Sequence, residues 1–327
     1  MLTIMQAIHQ YLENTKLARS SNTSATYSFA MNAFETCLKK NGVDPAETPI
    51  TSLDEGAIGW LAMELKGHAP ATEALYLQAT VGFYEFIAAE KLHSPNLPRL
   101  RLLVRQRGRR TGQRLPQFPR EDIDSVLQYV QSLPPPTSSR DENKQLRDLR
   151  DAAFLLSLAD TGLRVHEACA LRRGDIDWNE GRAIIIGKGD KQAVVRFSSR
   201  SLAALKAYLA ARAPLDGASG KPLSSLPLFA RHDKGAGKKV KPITTATGRN
   251  IVDERVRQAL GDSSEGKITP HSFRHYFVTT VLRASGNLKL AQELARHSNI
   301  AVTQRYAHIS DDELDKGYHE IFEGPKK

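Results

Sequence analysis

Apolar residues recur over the first hundred positions with a period near 3.6, and that spacing predicts helices. Tyr27, Ala30, Met31, Phe34, Cys37 and Leu38 fall on one stripe. Asn41-Gly42 closes it, because glycine accepts the left-handed conformation in which many helices end. Leu77, Val81, Tyr84 and Ala88 make a second stripe, and residues 52–66 and 3–17 are further candidates. A bundle of four or five short helices is the expected outcome. From Phe118 the patterning resumes: Leu149, Ala152, Ala153, Leu156 and Ala159 form a helix face that closes at Thr161-Gly162. The period then changes. RAIIIG (182–187) and AVVRFS (193–198) are β-branched runs separated by Lys188-Gly189-Asp190-Lys191-Gln192, which predicts a β-hairpin with a basic tip. Stretches 213–227 and 231–241, rich in Gly, Pro, Ser and Lys, are expected to be loops. Near the end, Ser310-Asp311-Asp312-Glu313 has the form of a capping box, and Leu314, Tyr318, Ile321 and Phe322 continue it as an amphipathic helix.

A chain of 327 residues is long enough for two domains, each with its own core. The formal net charge of +10 favours a polyanionic partner, although charge alone fits any basic globular protein equally well. No apolar run approaches the roughly 20 residues that span a bilayer. The first twenty residues lack the basic start and long apolar core of a secretory signal. Cys37 and Cys169, the only cysteines, lie far apart and suggest reduced thiols in a cytoplasmic protein.

Residues 98–116 hold seven arginines (99, 101, 105, 107, 109, 110 and 114) and no acid. Such a run repels itself unless an anion neutralises it. It can be a solvated linker, but its place between two folded regions favours a strap along a phosphate backbone, with Arg105, Arg107, Arg109 and Arg110 as contacts. The loop 231–241 is also basic, and a solvated loop explains it as well as a DNA contact does.

The candidate chemistry lies in the second half. In TGLRVHE, Arg164 and Glu167 share a helix face. The carboxylate can fix the guanidinium plane for bidentate phosphate contact, although a surface ion pair would look the same. In HSFRH, His271 and Arg274 share a face. His271 and His275 have the spacing of a metal pair, yet Arg274 would repel a cation and Ser272 stands where HExxH has its carboxylate, so no metal site is expected. Tyr306 follows His297 by nine residues. A phenol with a pKa of about 10 needs nearby cations to act as a nucleophile, and a lone tyrosine would otherwise be a packing residue.

As an ordered set, these motifs resemble the tyrosine recombinase (phage integrase) family across essentially the whole chain. TGLRVHEACALRRGDID is similar to the family's first signature box. HSFRHYFVTTVL and the stretch from ELARHSN to TQRYAHIS are similar to the second, and GKGDK to the hairpin turn that carries the family's lysine. The resemblance implies a mainly α fold with a small antiparallel β-sheet in a two-domain tyrosine recombinase architecture. A helical core-binding (SAM-like) DNA-clamp domain would occupy 1–100, a basic linker 101–117 and a mixed α/β catalytic domain 118–327. Because the bundle begins the sequence, no separate arm-binding module ahead of it is expected.

The resemblance also implies roles. Arg164 and Arg274 would hold the scissile phosphate and Lys188 would protonate the leaving 5′-oxygen. His271 would exchange a proton with the nucleophile, His297 would hydrogen-bond the phosphate and Glu167 would support the site. Tyr306 would attack to give a 3′-phosphotyrosyl enzyme, with no metal, cofactor or ATP. Partners would be double-stranded DNA carrying an inverted-repeat core site and three further copies of the chain, a homotetramer on synapsed DNA built from monomers free in solution, with no membrane; an accessory protein is left open. The end helix would either pack on its own domain or dock onto a neighbouring protomer. One departure stands out: where the family usually has glycine before the histidine, this chain has Arg296, which could shift His297 or add a phosphate contact. Alternatives to recombination are a type IB topoisomerase-like nicking and closing enzyme and a catalytically silent DNA-binding relative.

Overall fold

The computed structural model describes residues 1–109, 119–133, 142–186, 192–233, 235, 239–264, 266–297 and 299–304. The chain divides into two compact units, Met1–Arg114 and Leu115–Lys327. Among the described residues it is mainly helical with one three-stranded antiparallel sheet, as the sequence leads one to expect. No described helix is long and apolar enough to cross a membrane.

The first unit contains α1 (Ile4–Ala18), α2 (Ser21–Lys40), α3 (Ala57–Glu64), α4 (Pro70–Ala89) and α5 (Leu97–Arg107). Thr3 opens α1 with a reciprocal capping box: the Gln6 N–H donates to Thr3 Oγ1 at 3.3 Å and the Thr3 N–H to Gln6 Oε1 at 3.0 Å. The predicted stripes converge on one core, in which Phe34, Phe83 and Tyr84 are fully buried.

The arginine-rich segment begins within the first unit. Over Leu97–Arg107 it is a helix, because Leu100 is fully buried in the core and Leu97, Leu103 and Val104 pack beside it. Two of its charges meet acids distant in sequence: Arg101 Nη2 donates to Glu85 at 2.6 Å and Arg99 Nη1 to Glu55 at 3.4 Å. Arg109 is drawn into the unit as well. Its backbone N–H donates to Glu73 Oε1 at 2.8 Å and its Nε to Glu73 Oε2. Lys66 Nζ adds a bond to Glu73 at 3.0 Å. Burial works to raise the Glu73 pKa, but these donors outweigh it and hold the carboxyl below its ordinary value.

The second unit contains α6 (Arg120–Gln131), α7 (Glu142–Thr161), α8 (Val165–Ala170), β1 (Ile176–Asp177), β2 (Arg182–Ile186), β3 (Gln192–Arg196), α9 (Ser199–Gly217), α10 (Thr245–Leu260), α11 (Pro270–Ser285), α12 (Leu288–Ala295) and α13 (Ile300–Gln304). The predicted hairpin is β2–β3, with Ile184 opposite Val194, and β1 adds a third strand on β2 that is too short to show as a pattern. Ala183, Ile185 and Val195 face the core while Ile184, Ile186 and Val194 are exposed, the alternation of a sheet buried on one side.

The expected loop from residue 213 begins later, because α9 runs through Pro214 to Gly217. A buried pair one turn apart carries it past the proline: Arg212 Nε and Nη2 reach the Asp216 carboxylate at 2.9 and 3.1 Å. Arg212 is fully buried, and its remaining donors go to Tyr208 Oη, Leu228 O and Pro227 O at 2.8–3.0 Å. A guanidinium can be buried only when its donors are paired in this way. The network pins the chain that returns after α9. Cys37 and Cys169 are buried, unbridged and in different units.

Candidate active site

The site grows from the end of α7. Gly162 follows it with φ +61°, a left-handed conformation in which an added Cβ would lie 2.4 Å from Phe277 Cδ1. Only glycine suits both the dihedral and the close approach. The turn places Arg164 at the amino-terminal end of α8, and three residues later Glu167 folds back on it. Glu167 Oε2 accepts the Arg164 backbone N–H at 2.8 Å, and Oε1 accepts Arg164 Nη1 at 2.8 Å. Glu167 is 2% exposed and Arg164 43%, so the carboxylate is a buried support while the guanidinium opens to solvent. Burial works to raise the Glu167 pKa, but the Arg164 N–H and the charges of Arg296 and Arg164 bring it below the ordinary carboxylate value.

Arg274, on the first turns of α11, is 4% exposed. Its Nη1 donates to the Gly162 carbonyl and its Nη2 to the Ala295 carbonyl. One guanidinium thus ties the end of α7 to the end of α12. His271 opens α11 one turn earlier; the surrounding protein, then Arg274 and Arg164, lower its pKa. Its ring meets that of His275 edge to face at 4.3 Å between centroids.

His297 follows the end of α12. Its N–H donates to Gln292 O at 3.1 Å, and Gln292 Nε2 donates back to His297 O at 3.0 Å. Nδ1 bonds Thr303 Oγ1 at 2.8 Å. Burial, followed by Arg274, Arg164, His271 and His275, pushes the His297 pKa down to about 4, so the imidazole is neutral at pH 7.

Arg296 takes a place that the sequence reading did not foresee. It ends α12 at φ 58° and ψ 44°, the left-handed region where a glycine is usual. The bulk is accommodated inward, so His297 keeps its bonds to Gln292 and Thr303. Arg296 Nη2 donates to Glu167 Oε2 at 2.9 Å and lies 3.4 Å from the Gly162 carbonyl.

Of the expected catalytic set, the structure brings Arg164, His271, Arg274 and His297 into one electrostatic neighbourhood, with Glu167 behind Arg164. Lys188 and Tyr306 lie outside the described residues, as do Arg110 and the expected end helix. Arg105 and Arg107 are exposed on α5, whereas Arg109 is engaged by Glu73. Sequence reasoning missed Arg296 as a partner of Glu167, Thr303 as a partner of His297, and the Gly162 carbonyl as the acceptor between two arginines. Only the arginine in a glycine's place offered a signal.

Comparison with known proteins places this geometry in context. The Phage integrase family profile matches residues 123–313. The chain is similar to tyrosine recombinase XerC of Bacillus pumilus, 30% identical over 313 residues that cover 95% of this chain and 94% of that protein. It is also similar to XerC of Myxococcus xanthus, 28% identical over 326 residues with 96% of each covered. Among solved structures, the Tn1549 transposon integrase in complex with a circular intermediate DNA shares the fold at a TM-score of 0.67 and 18% identity, covering 98% of this chain and 100% of that one. The XerH site-specific recombinase bound to a palindromic difH substrate does so at 0.66 and 19%, covering 92% and 80%.

Proposed function

The chain belongs to the phage integrase family and is a site-specific tyrosine recombinase, and from that premise we propose how its residues cut and rejoin DNA. Arg164 and Arg274 grip the non-bridging oxygens of a scissile phosphate and stabilise the charge of the pentacoordinate transition state. The Tyr306 oxygen attacks phosphorus; the bond to the 5′-oxygen breaks, and Lys188 gives that oxygen its proton. His271 takes up the phenol proton, and its lowered pKa keeps the imidazole neutral and able to accept it. His297, also neutral, donates one hydrogen bond to the phosphate. The product is a 3′-phosphotyrosyl ester and a free 5′-hydroxyl. The ester keeps the bond energy, so a partner strand's 5′-hydroxyl can reverse the step without ATP.

The observation that carries this reading is the convergence of two arginines and two imidazoles around the turn from Gly162 to Glu167. The partner is double-stranded DNA with an inverted-repeat core site, in line with the DNA-bound state of the structural relatives. The first unit acts as the clamp on that DNA, with the exposed Arg105 and Arg107 on the backbone. Four copies exchange strands in pairs through a Holliday junction in the cytoplasm, each docking its end helix on a neighbour.

A two-site supercoiled plasmid carrying DNA from the flanks of the gene, incubated in EDTA, tests this. Holliday junctions and recombinant circles are expected. Relaxation without recombinants would replace the proposal with a nicking and closing enzyme.

A further inference from the structure

We infer that Arg296 is a positioning residue that cross-braces the two phosphate-gripping arginines, acting on Arg164 through Glu167 and on Arg274 through the Gly162 carbonyl. The inference rests on the catalytic reading above and adds a component to it. Glu167 has two oxygens and three donors on them. Oε1 takes Arg164 Nη1, and Oε2 takes both the Arg164 N–H and Arg296 Nη2. The Gly162 carbonyl is shared between Arg274 Nη1 and the same Arg296 Nη2. One nitrogen therefore touches the two acceptors that set the planes of Arg164 and Arg274.

This arrangement is costly. A side chain in the left-handed region meets its own backbone and is disfavoured. Arg296 is only 11% exposed, and its Nη1 is buried with no hydrogen-bond partner among the described residues. A glycine would relieve both penalties, so local stability alone does not account for an arginine here. Strain and unpaired buried groups of this kind collect at functional sites. The return lies in geometry. With Oε2 held from the α12 side, the Glu167 carboxylate cannot rotate about its own axis, and the Arg164 fork stays aimed outward. The second guanidinium also places a positive charge behind the phosphate site, where it assists without touching the substrate.

The test is a kinetic double-mutant cycle with the full-length protein on a nicked suicide DNA under single-turnover conditions. Arg296→Gly, and separately Arg296→Asn, which tolerates the left-handed conformation, should bind DNA with unchanged half-saturation. Covalent-adduct formation at saturating DNA should slow roughly ten- to a hundredfold, the penalty of a misplaced catalytic group. Glu167→Gln should slow it similarly, and an Arg296 substitution should slow the Glu167→Gln protein by clearly less than it slows wild type, because only the Gly162 contact is then left to lose. An Arg296 variant that forms adduct at the wild-type rate overturns the inference, as does full additivity with Glu167→Gln. Asn guards against a folding defect specific to the glycine variant. If wild type forms adduct and Tyr306→Phe does not, the catalytic reading stands whatever Arg296 does. If wild type forms none, both fall.

Discussion

Gly162→Ala perturbs the point on which the site turns. Two costs can be worked from its geometry. The left-handed φ of +61° disfavours any side chain by roughly 1–2 kcal/mol. The new methyl would lie 2.4 Å from Phe277 Cδ1 and 3.0 Å from Cε1 and Cγ, an overpacking that typically costs about 1–3 kcal/mol. Together they predict destabilisation of the second unit by about 2–5 kcal/mol. Urea unfolding in a Trp60→Phe background isolates that unit, since Trp178 is then its only tryptophan. The two terms can be separated by repeating the substitution in Phe277→Ala. There the clash is gone, and only the dihedral cost of roughly 1–2 kcal/mol should remain. If residue 162 escapes by rotating its peptide, the carbonyl turns away from Arg274 and Arg296, and adduct formation should fall with it. A loss below about 0.5 kcal/mol, or the same loss with and without Phe277, would refute the reasoning.

The other predictions concern the clamp, the pH response and the metal requirement. Arg109→Ala removes one of the two side-chain cations on the fully buried Glu73, leaving Lys66 and the backbone N–H, and should destabilise the first unit by roughly 1.5–3 kcal/mol. Arg105→Ala should leave stability within about 0.5 kcal/mol yet reduce the slope of log affinity against log salt by about 0.9; chemical denaturation and DNA titrations check both. His232, bonded to Tyr208 Oη at 2.8 Å, has its pKa pushed down to about 3 by burial, then by Arg150, Arg212 and Arg147. Its unfolded pKa is about 6.5, so below that pH the unfolded chain takes a proton the fold refuses. Stability should therefore drop as pH falls from about 6.5 towards 3, by up to about 1.4 kcal/mol per unit from this residue. His232→Gln should flatten that slope between pH 6.5 and 5, and an unchanged slope in denaturation curves would contradict the assignment. Adduct formation should persist in EDTA, because the charge stabilisation comes from side chains; a strict Mg²⁺ requirement in a gel-shift of trapped complexes would contradict it.

The sequence shows the parts whose signal is local. The stripes of α2 and α4 and the alternation of β2–β3 are periodic patterns of side chains that meet one core. Arg164 and Glu167 were pairable because three residues on a helix start bring them together. Other features depend on residues far away in the chain. Arg99, Arg101 and Arg109 look unneutralised until Glu55, Glu85 and Glu73 fold against them. Pro214 looks like a helix end until Asp216 is buried with Arg212. The Arg296–Glu167 bond spans 129 positions, and the Gly162 carbonyl, being backbone, leaves no side-chain signature. The described candidates, Arg164, His271, Arg274 and His297, were therefore legible as motifs, and the contacts that hold them were not.

The central claim is that Tyr306 becomes covalently joined to the 3′ end of a cut strand. Trapping the protein on suicide DNA, digesting it and locating the modified peptide by mass spectrometry tests this most directly. The account predicts a nucleotide-3′-phosphate ester on Tyr306, and no adduct at all from Tyr306→Phe protein that still binds the same DNA. An adduct on another residue, or one formed by Tyr306→Phe, would contradict it.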